Sequence, residues 1–324
     1  MNIKVKKSDI NKRLDVYLSD KIDLSRSQIQ KLIKQNLILV NGKEKSVHYK
    51  IRKDDKIIIK NVEMRNCAFM QKNKTLPKFK IIAETDDYLV INKPAGVIVH
   101  GGESVEEATL TDALEKQYPE IKKVGEDPLR PGIVHRLDKE ASGLMVVVKN
   151  NKIFDHLKNQ FQKRKTLKKY FALVYGQTSK EHDEINFPIS RSAKGYKMAA
   201  LPRSPRYNFG EAGRSSDTVG MRAGRNAITE FNVEQKFINY TLLDITIKTG
   251  RTHQIRVHMS AYGHPIVGDD LYGTKKTREQ NAKLKLSRIF LHAHTLGFED
   301  LNDEWQEFKI ELPRELKEVL KKIK

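Results

Sequence analysis

At 324 residues the chain has room for one large domain and one small one, and its 61 Lys and Arg outnumber 41 Asp and Glu for a net charge of +20. A surplus of that size points to a polyanion, nucleic acid first, and away from a membrane: no run approaches the roughly 20 apolar residues needed to span one, and the first residues carry no hydrophobic signal region. The single Cys67 excludes an internal disulfide and a paired-thiol metal site, so a reducing cytoplasm is the expected location.

Residues 1–60 read as a compact basic module. Ile10, Leu14, Tyr17 and Leu18 recur at helical spacing, and a second helix follows Ser25, which with Gln28 matches a capping box ahead of Ile29, Leu32 and Ile33. Asn36 is placed to end that helix. Residues 37–40 alternate into Asn41-Gly42, a hairpin signal, and residues 57–59 supply another strand. Arg13, Arg26, Lys31 and Lys34 are expected on one outward, RNA-binding face, although a charged face is ordinarily only solvated. Residues 61–78, rich in Lys and Asn with Pro77, read as a linker.

The remainder, 79–324, opens with strands at 79–84 and 88–92, followed by the turn Lys93-Pro94-Ala95-Gly96. A helix is expected over 109–118 with Thr109 and Asp112 at its start, and another over 151–163 with Ile153, Leu157 and Phe161 on one face. Between them, Asp138 lies among Arg136 and Lys139 in a turn that Ser142 and Gly143 bend into an apolar, β-branched run at 144–148, which reads as a buried strand. A lone aspartate after a loop ordinarily bonds turn amides or pairs with an arginine. Residues 168–176 form a strand carrying Tyr170 directly after Lys168 and Lys169, two cations expected to contact RNA phosphates; a strand tyrosine is ordinarily core. Further strands are expected at 185–190, 197–201 and 240–248, with 202–226, rich in Gly, Ser and Arg, as a flexible insertion in a hairpin. His253 and His258 are five apart rather than the four that would put both on one helical face, and no metal is expected. The chain closes with a strand at 305–310 and a helix whose stripe is Leu316, Val319, Leu320 and Ile323.

Four stretches share one resemblance. HRLDKEASGL around Asp138 resembles the signature of the RluA family of pseudouridine synthases, the RluD type nearest, and INKPAGVIVH, KKYFALVYG and GRTHQIRVH agree with it in order and spacing. The first 60 residues resemble the small αL RNA-binding domain first recognised in a ribosomal protein. The resemblance implies an α+β fold: a mixed, mainly antiparallel central sheet flanked by helices, with a small N-terminal α/β RNA-binding domain. It implies conversion of selected uridines to pseudouridine, without cofactor or metal, by cutting the base from its ribose, turning it over and rejoining it through carbon. Carried over by position, Asp138 is the essential carboxylate, Arg256 its ionic partner, and Tyr170 the residue that stacks on the base. Arg136 fills the gap left by the flipped nucleotide, and Ile255 and Leu291 wall the pocket. The implied partner is a stem-loop of large-subunit ribosomal RNA, or an assembling ribosome, met by a monomer. Ala141 stands where the family more often has Thr, and the 202–226 insertion has no counterpart. Two other readings compete. A noncatalytic RNA-binding or ribosome-assembly factor would let the catalytic set decay, yet Asp138, Tyr170 and Arg256 are intact; an aspartyl phosphohydrolase would want a D-x-D pattern and a metal.

Overall fold

The computed structural model describes residues 2–5, 9–19, 21–22, 26–60, 75–101, 105, 107–127, 129–192, 197–201, 224–284 and 286–323. The chain divides into two compact units, Met1–Leu76 with Gly101–Ala108, and Pro77–His100 with Thr109–Lys324.

In the smaller unit, β1 (Asn2–Lys4) precedes α1 (Leu14–Ser19), α2 (Arg26–Lys34), β2 (Ile38–Val40) and β3 (Lys56–Ile59), and the strands form an antiparallel sheet in the order β1-β3-β2. Leu14, Tyr17 and Leu18 of α1 close on Ile29, Leu32 and Ile33 of α2 and on Ile38, Val40 and Ile57. Each such side chain removed from water contributes about 1.5–3 kcal/mol, which a helix of six residues requires, being too short to persist alone. Ile10 falls outside α1 because Asn11, at φ +69°, breaks the run. Asn36, at φ +59°, ends the second helix as expected, while the Ser25 cap lies outside the described residues. Asn41 and Gly42 make the anticipated turn, with Val40 and Lys43 exchanging backbone hydrogen bonds of 2.9 and 3.0 Å. The next strand is not reached directly, since residues 44–55 intervene before β3.

The larger unit runs β4 (Lys80–Glu84), β5 (Tyr88–Lys93), α3 (Leu110–Gln117), β6 (Ser142–Val148), α4 (Asn151–Lys163), β7 (Leu167–Tyr175), β8 (His182–Ile185), β9 (Ile189–Arg191), β10 (Met198–Ala200), β11 (Thr229–Lys236), β12 (Tyr240–Ile247), α5 (Gln254–Ala261), α6 (Lys275–Leu284), β13 (Leu291–Glu299), β14 (Trp305–Lys309) and α7 (Arg314–Lys322). Its main sheet has the order β4-β5-β6-β13-β7-β12-β11-β8, with β14 on the far half of β13. Every named pair in it is antiparallel except β6 with β13. The fold is therefore the mixed, mainly antiparallel sheet with flanking helices that the resemblance implied.

Strand β6 is buried along its whole length and serves both faces. Met145 and Val147 pack in the core that holds α3 and Tyr170, whereas Leu144, Val146 and Val148 pack against Ile153 and Leu157 of α4. Ser142 and Gly143 are the first residues of this strand rather than a bend before it; the turn lies at Asp138, whose carbonyl accepts from the Ala141 N–H at 3.2 Å. Gly143 sits at φ +121°, and a Cβ there would lie 2.2 Å from the Ala293 carbonyl oxygen, so only glycine lets β6 and β13 approach this closely. Thr109 and Asp112 form the expected capping box at α3, and Asn150 and Arg164 (φ +61°) bound α4 where the sequence placed it. The strand expected at 185–190 is two, β8 and β9, broken around Pro188, which has no N–H for a ladder. Residues 61–74 of the expected linker and 202–223 of the expected insertion lie outside the described residues. Among the described residues no helix is long and apolar enough to cross a membrane.

Candidate active site

Asp138 stands at the mouth of β6, and its turn is held by the end of β5. The Gly96 N–H donates to the Lys139 carbonyl at 2.7 Å, and Lys93 Nζ donates to the carbonyls of Pro94 (2.8 Å), Val97 (2.9 Å) and Lys139 (3.3 Å). Lys93 has no exposed surface. Burial, with the nearby Arg288 charge, pulls its amine down to about 7 against the opposing pull of Asp138 and Glu140. A buried amine can hold three carbonyls because each acceptor replaces a water it lost.

Helix α5 brings the second charge. Its start is bolted to β11: Gln254 Nε2 donates to the Ile228 carbonyl (2.9 Å) and the Thr229 hydroxyl (3.0 Å), while its Oε1 accepts from Thr249 Oγ1 (2.7 Å) and the Arg251 N–H (3.0 Å). His258 is committed to Thr229 Oγ1 and the Phe187 carbonyl, both at 2.9 Å, and His253 to the Tyr272 hydroxyl at 2.8 Å. The two histidines thus serve separate partners.

Arg256 meets three carboxylates. Its planar fork closes on Asp269, Nε to Oδ2 at 2.7 Å and Nη2 to Oδ1 at 3.0 Å, and the remaining Nη1 lies 3.2 Å from Glu140 and 3.6 Å from Asp138. Both members of the fork are buried, Arg256 to 3% and Asp269 to 1% exposure. Burial alone would lower the guanidinium, but Asp269, Asp138 and Glu140 outweigh it and hold its pKa above the ordinary value. Its pairing with Asp138 is accordingly a single-nitrogen approach, not the two-point fork that an Arg–Asp pair ordinarily forms. The fork is spent on fixing the arginine.

Tyr170 on β7 is 7% exposed, and burial first, then the Asp138 charge, push its phenol far above its usual range. It stays protonated and offers a ring rather than acid–base chemistry. Ile255 and Leu291, 5% and 3% exposed, share its core with Leu137 and Ala141. Asp138, at 19% exposure, is thus a carboxylate on an apolar wall beside a fixed cation. Arg136 is exposed and its Nη1 lies 3.1 Å from His100 Nε2.

The expected RNA contacts fare unequally. Lys168 is drawn in, 7% exposed, with its ammonium 5.4 Å from the Phe161 ring centre, and burial lowers it to about 8; it does not face outward. Lys169 is paired with Asp244 at 3.1 Å. Arg13 is half-buried and forked onto the buried Asp15 at 3.0 and 2.9 Å, while Lys34 is exposed near the end of α2. Arg26 and Lys31 lie on α2, their side chains outside the described set. Sequence reading missed Lys93, Glu140, Asp269 and Tyr272, whose ring lies 5.2 Å from the Arg256 guanidinium carbon. Lys93 and Glu140 lie in stretches that carry the resemblance and Asp269 and Tyr272 beyond the last of these, and nothing in their spacing indicated convergence.

A family model described as RNA pseudouridylate synthase matches residues 87–261, more than half of the chain, and spans Asp138, Tyr170 and Arg256. The chain belongs to the RNA pseudouridylate synthase family. It is therefore an RNA-modifying isomerase. A second model, the S4 domain, matches residues 12–57 in the smaller unit. An uncharacterized RNA pseudouridine synthase of Bacillus subtilis is 34% identical over 97% of this chain and 95% of its own length. The ribosomal large subunit pseudouridine synthase D of Pasteurella multocida is 33% identical over 100% of this chain and 95% of its own. Among solved structures, human RNA pseudouridylate synthase domain containing 1 superposes with a TM-score of 0.56 at 25% identity, covering 74% of this chain and 85% of its own.

Proposed function

We propose that this pseudouridine synthase isomerises specific uridines of large-subunit ribosomal RNA, with Asp138 as the essential carboxylate. The observation that carries the reading is the placement of Asp138: 19% exposed, 3.6 Å from the fixed Arg256 guanidinium, and close enough to the buried Tyr170 for its charge to act on that phenol. A flipped uridine stacking on Tyr170 between Ile255 and Leu291 brings its glycosidic bond to the carboxylate and keeps water out, while the exposed Arg136 takes the vacated place in the RNA. From there Asp138 attacks the sugar or the ring, or removes a sugar proton; each requires it ionised, which Arg256 favours. Residues 1–60 anchor the RNA, 61–78 link, and 79–324 catalyse, as a cytoplasmic monomer. The relative named for the large ribosomal subunit supports that RNA as substrate.

Purified Asp138→Asn, assayed in single turnover, is expected to make no pseudouridine while binding RNA within a few-fold of wild type, because distributed cations set affinity. Turnover above a few per cent, with deamidation excluded, removes Asp138 from the role. Mapping pseudouridines in RNA from a deletion strain identifies the substrate, and loss confined to other RNAs overturns the ribosomal assignment.

A further inference from the structure

Apart from the Asp138–Arg256 cluster, the larger unit carries an open cavity of about 690 Å³ whose wall includes Phe79, Asn92, Ser142, Arg288, His292 and Glu315. Its polar side is pre-wired. Arg288, whose side chain is 9% exposed, donates from Nη2 to Ser142 Oγ at 2.6 Å and to the Leu291 carbonyl at 3.1 Å, and from Nε to the Ile289 carbonyl at 3.2 Å. Since Ser142 Oγ accepts from Arg288, its own hydroxyl donates to His292 Nδ1 at 2.7 Å, which leaves His292 Nε2 to donate to the Glu311 carbonyl at 3.1 Å. Burial, aided by Arg288, lowers His292 to about 4, so the ring is neutral and adds no counter-charge. The ion-pair partner of this buried guanidinium among the described residues is Glu315, 3.1 Å from Nη1, and Glu315 is 54% exposed in the first turn of α7.

A carboxylate that projects largely into water, on an arginine otherwise fixed by neutral groups, occupies the position an incoming anion would take. Exposed Lys78 and Lys80 line the same cavity, so its lining holds three cations and one carboxylate. That surplus favours a terminal phosphate monoester, which carries about −1.5 to −2 charge near neutral pH, over a second carboxylate or the single charge of a phosphodiester. Phe79, Pro94, Ala95 and Pro313 supply apolar lining to the same cavity, and the volume lies within the roughly 300–1,000 Å³ usual for small-molecule sites. We propose that this cavity is a nucleotide site, in which a phosphate displaces Glu315 from Arg288 and the attached base lies against Phe79. It does not depend on the role assigned to Asp138.

The test is calorimetric titration of the full-length protein with uridine 5′-monophosphate, inorganic phosphate and uridine. The monophosphate is expected to bind, phosphate more weakly, and uridine not measurably. Glu315→Gln removes the competing carboxylate and tightens the monophosphate, and Lys80→Glu weakens it, each by about threefold, the scale of one partly screened charge. Both positions are exposed, so both variants fold. Asp138→Asn leaves the titration unchanged. The source of the phosphate follows from the affinity of Glu315→Gln for a uridine-containing RNA stem-loop bearing a 5′-terminal phosphate: tightening assigns the RNA's terminal phosphate, and no change beside a tightened monophosphate assigns a free nucleotide. Absent binding, affinities equal in all variants, or binding altered only by Asp138→Asn overturns the site.

Discussion

The guanidinium of Arg256 has five N–H donors and three carboxylates within reach, and the allocation among them sets what a substitution does. Lysine keeps a charge but cannot serve Asp269 at two points and Nη1's neighbours at once, so wild type is expected to exceed Arg256→Lys in single-turnover rate, and Arg256→Lys to far exceed Arg256→Met, at saturating RNA. Equal rates for wild type and Arg256→Met would show that the arginine only binds a phosphate. The structure adds a second expectation at Asp269, the buried carboxylate that takes the arginine's fork. Asp269→Ala leaves a 3% exposed arginine without its fork, and the loss is expected to approach the lower end of the roughly 3–5 kcal/mol seen when one member of a buried pair is removed, with turnover falling as well. Urea denaturation checks the first and single-turnover kinetics the second; a variant as stable as wild type denies Asp269 the positioning role.

Among elements, the contact of β6 with β13 decides where Asp138 and Tyr170 stand relative to each other. Ala293 is the common neighbour: it pairs with Gly143 in β6 and with Tyr170 in β7. In Gly143→Ala, a Cβ would meet the Ala293 oxygen at 2.2 Å in a backbone conformation that non-glycine residues avoid. The strands must part, at a cost of about 3 kcal/mol or more. Thermal unfolding should show a lower midpoint, and turnover should fall more than RNA binding does because the turn moves with its strand. A normal midpoint and normal turnover together would mean that the pair tolerates separation.

For the whole molecule, the half-buried His135 and the buried His292 make stability depend on pH. His135 Nε2 accepts from the Val146 N–H at 3.1 Å, so a proton there would face another donor; burial, then Lys168, lowers it to about 3. His292 is lowered to about 4. Between these values and the unfolded value of 6.5 the unfolded chain binds more protons, so the histidines' contribution to stability is full above pH 6.5 and is lost as pH falls toward 4. Lys93 acts in the same direction higher up: with about 7 folded against 10.5 unfolded, its contribution rises with pH across that interval. Denaturant midpoints are expected to drop from pH 7 to pH 5, and His135→Gln, whose amide oxygen can accept from Val146, to drop less; identical slopes exclude the histidine. The net charge of +20 predicts a steep fall of RNA affinity with salt, and removal of residues 1–60 is expected to flatten it while leaving turnover with weaker target choice. A folded but wholly inactive truncation on every RNA refutes that division.

Much of the molecule was legible along the chain, for local reasons. Periodicity and caps located α3, α4 and α7, and the β-branched run located β6, because those signals are carried within a few residues. Motif order was enough to identify the family and to nominate Asp138, Tyr170 and Arg256. Strand β13 escaped as a strand because His292, His294 and Gly297 interrupt its apolar pattern, and it is buried only through neighbours brought from elsewhere in the chain. Helix α6 escaped because it is polar almost throughout, burying only Thr277 and Asn281. The assignment of Arg256's fork to Asp269, the enclosure of Lys93 and the withdrawal of Lys168 from the surface were decided by tertiary structure alone. Each depends on which groups compete for the same donors or the same apolar cover once distant segments meet, and no spacing along the chain records that competition.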